Sequence, residues 1–225
     1  MKILGHRGAR EEKPENTLMG FQYALDCGVD GIELDVHLSR DGIPMVIHDS
    51  TVDRTANGSG AVLSMSCEEL QNLDAGEGQG IPTLEQAVDL IAPHAHLFIE
   101  IKAPDLESRV LEILAPYRQK DEPFIVKSFN HRVLQKIRSL DSQIPLAGLL
   151  VGIPIDPSHI IKMFKGNMLS ISTMTIDEKL VADCHKGGVE VCTWNCNDTS
   201  QVEMFRQLGI DWLATDIPSQ IKAEL

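Results

Sequence analysis

The sequence predicts an α/β protein folded as a closed (β/α)8 TIM barrel, with a small insertion after a hairpin on its second strand. Three observations lead there. Short Val-, Ile- and Leu-rich runs recur along the 225 residues, most of them followed by a helical pattern. Eight of these runs count as parallel strands, at 3–6, 31–36, 97–101, 124–127, 146–151, 168–172, 189–194 and 211–215, the number that closes a barrel without an edge. Polar and ionisable residues collect at the C-terminal ends of the runs, where barrel enzymes build their sites. The runner-up, a doubly wound open sheet, requires a glycine-rich dinucleotide turn after the first strand, and Gly5-His6-Arg7-Gly8 is not one.

The elements follow in order. The first run ends in His6-Arg7-Gly8. Pro14 and Asn16 open a helix with the stripe Leu18, Phe21 and Leu25, which Cys27-Gly28 ends. In the next strand Ile32, Leu34 and Val36 take one face and Glu33 and Asp35 the other. Asp41-Gly42 breaks that run as a hairpin turn, with residues 43–48 as the antiparallel return. Read as a two-residue turn, it sets Arg40 opposite Ile43 and Asp35 opposite His48. From Ser50 to Pro82 the pattern loosens around several glycines, with a capping box at Ser66 and Glu69. That stretch is too long for an ordinary connection and reads as a functional excursion or small subdomain. A second capping box, Thr83 with Gln86, opens a helix through about Ile91. Helical patterns then fill about 106–118, 131–140, 157–164, 176–186 and 199–208. No composition break divides the chain, so residues 1–225 read as a single barrel domain with its insertion at about 50–82.

The formal net charge of −13 argues against non-specific binding to nucleic acid or anionic membrane. An anionic substrate then needs a local positive centre, which a divalent cation can provide. No run approaches the roughly 18 apolar residues of a membrane span, and the N-terminus lacks a signal-peptide core. The expectation is a cytoplasmic protein without stable membrane association; its oligomeric state is left open. The five cysteines form no CxxC pair and read as reduced thiols.

Glu33, Asp35 and Glu100 offer three hard oxygen donors without nitrogen or sulfur partners, a set that suits Mg2+ or Ca2+. Without a cation they would repel one another, unless Glu100 is instead bridged to Lys102. His6 and His48 stand at separate strand ends as candidate acid and base. His37 shares the Glu33 face. Arg7 offers a planar fork for phosphate oxygens and Lys102 a point charge. Together these residues describe phosphoryl chemistry better than sugar or acyl chemistry.

Several motifs now line up: His-Arg-Gly at 6–8, Pro-Glu-Asn-Thr at 14–17, Glu-Leu-Asp-Val at 33–36, Asp-Gly at 41–42 and His-Asp at 48–49. Ile-Glu-Ile-Lys at 99–102, Ser-Phe-Asn at 128–130, Thr-Trp-Asn at 193–195 and Thr-Asp-Ile-Pro at 215–218 continue them. In this order and over nearly the whole chain, the sequence resembles the glycerophosphodiester phosphodiesterase family. The resemblance implies a metal-dependent barrel hydrolase that converts a small glycerophosphodiester, such as a deacylated phospholipid, to glycerol 3-phosphate and an alcohol. It implies His6 and His48 as the acid/base pair, Glu33, Asp35 and Glu100 as metal ligands, and Arg7 and Lys102 on the phosphate. Trp194 would lie against the glycerol or head group, and Asn16 would order the loop after His-Arg-Gly. The 50–82 insertion would lie over the barrel mouth. Two departures are local: Lys127 stands where a small or polar residue is expected, and Cys196 follows Asn195. The rival readings are a phospholipase C- or D-like barrel acting on intact lipid, which needs an apolar or basic docking surface, and a non-catalytic phosphate-binding barrel, which would lack an acid, a base or a ligand.

Overall fold

Alternation decides which way each strand faces, and parallel register decides which residues share a level. The computed structural model describes residues 1–118 and 123–225. The parallel strands are β1 (Lys2–Gly5), β2 (Gly31–Leu38), β4 (His96–Ile101), β5 (Phe124–Ser128), β6 (Leu146–Leu150), β7 (Met168–Ser172), β8 (Glu190–Trp194) and β9 (Trp212–Thr215). The antiparallel strand β3 (Pro44–Val46) hangs on β2. β1 pairs with both β2 and β9, which closes the ring. Helices α1 (Leu18–Asp26), α3 (Leu84–Ile91), α4 (Glu107–Leu114), α5 (His131–Leu140), α6 (Pro157–Met163), α7 (Glu178–Lys186), α8 (Val202–Gln207) and α9 (Pro218–Ala223) follow the strands; α2 (Cys67–Gln71) lies in the insertion. The closed barrel with intervening helices is the fold expected.

Outward side chains such as Ile32, Leu34, Val36, Ile99 and Val126 pack under the helices in the main core. Inside the ring, Leu4, Phe98, Ile125, Ala147, Met168, Cys192, Trp212 and Ala214 form an apolar plug, to which every parallel strand except β2 contributes. The exception has a reason. The inward positions of β2 carry Glu33 and Asp35, which pair in register with Phe98 and Glu100. The next inward residue of β5 after Ile125 is Lys127, level with Glu100. A charged layer therefore sits directly on an apolar one, at the C-terminal side of the barrel.

The hairpin differs from its expected register. Ser39 pairs with Ile43 through the Ser39 N–H to the Ile43 carbonyl at 3.0 Å, and Val36 stands opposite Val46. The loop is thus the three residues Arg40-Asp41-Gly42. Gly42 has a φ of 78°, the left-handed residue that closes a three-residue hairpin with a bulge. Asp35 consequently faces Ile47, whose N–H donates to the Asp35 carbonyl at 3.0 Å, and not His48.

Both capping boxes form. Residues of the 50–82 stretch build a small apolar cluster of their own, Val52, Val62, Leu70 and Ile81 with Met45 and Ile47 of the hairpin. The pattern expected over 106–118 splits into α4 and a 3-10 turn, Ala115–Tyr117, where Pro116 removes a helical donor. α9 was not foreseen; Pro218 occupies its first turn.

Candidate active site

The three carboxylates converge. One oxygen each from Glu33, Asp35 and Glu100 lies within 4.8 Å of the others, and all three residues are buried. Asn16, at a φ of 55°, donates from Nδ2 to Asp35 Oδ2 at 3.0 Å. It is buried and braces Asp35 from behind, off the lining of the cavity. Arg7, at a φ of 50°, donates its backbone N–H to Glu33 Oε2 at 3.1 Å, and its Nε lies 3.3 Å from Asp35 Oδ2. Gly8 lets this turn press on α1: a Cβ there would lie 2.8 Å from a backbone carbon of Gly20.

Two imidazoles flank the cluster, each held at Nδ1 by a carboxylate. His6 Nδ1 donates to Asp216 Oδ1 at 2.5 Å, and its Nε2 lies 3.9 Å from Glu33 Oε2. His48 Nδ1 lies 2.6 Å from Asp49 Oδ1, and its Nε2 lies 3.0 Å from Lys102 Nζ. An ammonium only donates, so His48 Nε2 accepts and its proton sits on Nδ1, facing Asp49. His37, the third histidine on this side, reaches the His48 carbonyl at 3.0 Å through Nε2. Burial pushes its pKa down, so it stays a neutral brace.

The cations interleave with the acids. Lys102 Nζ donates to Glu100 Oε1 at 2.8 Å and lies 3.5 Å from Asp35 Oδ1. Lys127 Nζ lies 2.8 Å from Glu33 Oε1. Burial alone would raise the Glu33 carboxyl, but Lys127, His6 and Arg7 overcome it and hold it well below the usual range. At Glu100 burial wins, helped by Asp35 and Glu33 against the lysines, and its carboxyl is raised. One site thus contains carboxyls displaced in opposite directions, a frequent mark of a functional centre.

A second tier ties the rim together. Glu15 accepts from Arg7 Nη1 at 2.8 Å and from Arg54 Nη1 and Nη2 at 2.9 Å each. Arg54 Nε also donates to Asp49 Oδ2 at 2.7 Å. Against the pull of burial, the two arginines keep the Glu15 carboxyl at about 2. The mouth is a cavity of about 410 Å³ lined by His6, Arg7, His48, Lys102, Phe129 and Trp194 among others. Phe129 and Trp194 meet edge to face with centroids 6.0 Å apart.

Every residue proposed from sequence thus stands in or directly behind one centre. The sequence reading missed the roles of Asp216, Asp49, Arg54, Glu15 and Lys127, and of Asn195, whose Nδ2 donates to Asp216 Oδ1 and Oδ2 at 3.0 Å each. Asp49 and Asp216 had a signal, since each is itself part of a motif quoted at the rim, His-Asp at 48–49 and Thr-Asp-Ile-Pro at 215–218. The pairing of Asp216 with His6 had none.

A barrel that gathers two carboxylate-held imidazoles about an acidic centre at its C-terminal face has the form of an enzyme site. Comparison with known proteins gives the particular family. Residues 6–220 match the model of the Glycerophosphoryl diester phosphodiesterase family. A glycerophosphodiester phosphodiesterase of Caldanaerobacter subterraneus is 34% identical over 232 residues, covering 97% of this chain and 95% of that one. One of Bacillus altitudinis is 32% identical, covering 97% and 96%. Among solved structures, an Oleispira antarctica phosphodiesterase in complex with the product sn-glycerol-3-phosphate superposes with a TM-score of 0.94 at 29% identity, covering 100% of this chain and 96% of that chain. The Thermotoga maritima glycerophosphodiester phosphodiesterase gives 0.82 at 26%, covering 97% and 96%. The chain belongs to the glycerophosphoryl diester phosphodiesterase family and is an enzyme of it.

Proposed function

We propose that the enzyme hydrolyses glycerophosphodiesters, the deacylated phospholipids, to glycerol 3-phosphate and an alcohol. Glu33, Asp35 and Glu100 would hold a divalent ion, Mg2+ or Ca2+, and His48 and His6 would move the protons. One observation carries the reading: two imidazoles, each locked at Nδ1 by its own carboxylate, stand on either side of a three-carboxylate centre. That centre fits a hard cation, because its donors are all oxygens, all buried, and close enough to share one ion. When bound, the ion supplies positive charge to the phosphoryl oxygens.

The side chains do the rest. Arg7 and Lys102 line the cavity and offset charge on the non-bridging oxygens. His48 Nε2, whose lone pair accepts from the Lys102 ammonium in this structure, takes the proton of the nucleophile once Lys102 turns to the phosphoryl oxygens. His6, held at Nδ1 by Asp216 with its Nε2 toward Glu33, gives its Nε2 proton to the leaving alcohol. The bond from phosphorus to the nucleophile forms as the bond to the leaving oxygen breaks. Trp194 and Phe129 offer an apolar wall to the glycerol or head group. Asn16 keeps Asp35 in place. The product held by the Oleispira relative supports this substrate class.

A second reading has one observation in its favour. Phe129, Val151, Ile153 and Met174 are exposed on loops at the C-terminal face, an apolar collar that could meet intact lipid. The net charge of −13 weighs toward a free diester, and no helix among the described residues is long and apolar enough to cross a membrane. The test is release of glycerol 3-phosphate from a panel of deacylated diesters, with release of free or phosphorylated head group from lipid vesicles in parallel, in EDTA and after restoring Mg2+ or Ca2+. The expected result is turnover of the deacylated diesters that EDTA abolishes and one of the ions restores. Turnover of vesicles only overturns the substrate class, and turnover indifferent to EDTA overturns the ion.

A further inference from the structure

Lys127 is a buried charge for which the chemistry above has no use. It lies 5% exposed, on β5 level with Glu100, above the apolar plug that contains Phe98, Ile125 and Cys192. A buried ammonium without a partner is strongly destabilising. Its partners are the carboxylates above it: Glu33 Oε1 at 2.8 Å and Glu100 Oε2 at 3.9 Å.

The two lysines of the centre are not equivalent. Lys102 faces the cavity with 16% of its side chain exposed and shares its ammonium with His48. It has solvent to move into when another cation arrives. The Lys127 side chain is 6% exposed, at the floor of the same cavity, and its ammonium lies between Glu33 and Glu100. It keeps its place. One oxygen of Glu33 then faces Lys127 while the other already accepts the Arg7 N–H. Ca2+ takes six to eight oxygens and commonly uses both oxygens of a carboxylate, whereas Mg2+ keeps several waters and takes carboxylates through single oxygens.

We propose that Lys127 is a resident counter-cation of the acidic centre: it holds Glu33 and Glu100 together in the absence of a divalent ion, limits Glu33 to a single oxygen for that ion, and so makes the ion weakly held, with Mg2+ favoured over Ca2+. The inference rests on the metal reading given above. Its role is positioning, since its ammonium is engaged by Glu33 and Glu100.

The experiment is calorimetric titration of Mg2+ and Ca2+ into the wild-type chain, Lys127→Met and Lys127→Gln, with thermal melts in EDTA and at saturating ion. Removing a positive charge a few ångströms from the ion should tighten Ca2+ binding by about tenfold or more, and Mg2+ binding by less. Both variants should melt below wild type in EDTA and recover when the ion saturates. Lys127→Gln keeps a donor for Glu33 without the charge, so it decides the matter where Lys127→Met fails to fold. Ion affinities unchanged or weakened in the variants overturn the inference, as does a loss of stability that the ion does not recover. No binding of either ion to any of the three chains at millimolar concentration overturns the metal centre, and this inference with it.

Discussion

Replacing Asp216 by Asn keeps the side-chain shape and removes the charge behind His6. Asp216 is 2% exposed and its Oδ1 lies 2.5 Å from His6 Nδ1. Burial opposes ionisation of this carboxyl, but the bonds from His6, Asn197 and Asn195 hold it well below the usual range. It is therefore a carboxylate at any working pH, and it directs the second His6 proton to Nε2, where a leaving alcohol needs it. An amide in its place can present N–H to Nδ1 and leave the ring neutral and turned to the wrong task. Losing an orienting carboxylate or a general acid costs about 10²–10⁴ in rate, or roughly 3–5 kcal/mol of barrier. Asp216 does not line the cavity, so KM should stay within about threefold, the signature of an interaction made in the transition state.

The informative assay compares two substrates. Asp216→Asn should lose its full factor with glycerophosphocholine, whose leaving group needs a proton. It should lose about tenfold or less with a nitrophenyl phosphodiester, whose leaving group does not. A melt belongs beside the kinetics, because Asp216 also accepts from Asn195 Nδ2 at 3.0 Å and from Asn197 Nδ2 at 2.7 Å. The amide keeps one acceptor oxygen, so about 1–3 kcal/mol of stability goes, a fall of roughly 2–4 °C in Tm for each kcal/mol. Equal losses on both substrates, or wild-type kcat on the first, refute His6 as the acid.

Two further outcomes follow from the second tier. Arg54→Ala breaks the bridge from Glu15 to Asp49 and frees the carboxylate that orients His48; kcat should fall about tenfold with a small change in Tm, since the Arg54 side chain is 44% exposed and its bonds are screened. Wild-type kcat in a folded Arg54→Ala removes Asp49 from the machinery. On acidification, carboxyls that the fold holds low contribute stability above their ordinary pKa and lose it as pH falls toward the folded value. Glu15 drops to about 2 from an ordinary 4.5, and Glu33 and Asp216 are lowered as well. Glu100, raised by burial, works in the opposite direction. Asp49 is lowered too, so the lowered carboxyls outnumber the raised one and predict an unfolding transition below about pH 4.5, followed by circular dichroism; a stability flat from pH 7 to pH 3 contradicts it.

What the sequence disclosed and what it concealed divide along the range of the forces involved. Strand alternation is local, and it put Glu33 and Asp35 on one face of β2 and Glu100 inward on β4, at the level of Asp35. The same period of two placed Lys127 inward, between outward-facing Val126 and Ser128. That signal was available; its meaning was not, because the Glu33 partner comes from a strand that is not adjacent to β5. The bond from Asp216 to His6 joins the two ends of the chain when the barrel closes, and nothing near either residue announces it. The hairpin shows the opposite case, a local feature misread. Gly42 in the left-handed region adds one residue to the loop and shifts the register, which ought to turn His48 to the wrong face. It does not, because a register binds only as far as its ladder runs. β3 stops at Val46, and one more bond, from the Ile47 N–H to the Asp35 carbonyl, ends the pairing. His48 is then placed by Asp49, by Lys102, and by the His37 ring on its carbonyl. The second imidazole owes its position to side chains around the mouth, and the substitutions that should displace it are therefore those of Asp49 and Arg54, not changes to the turn.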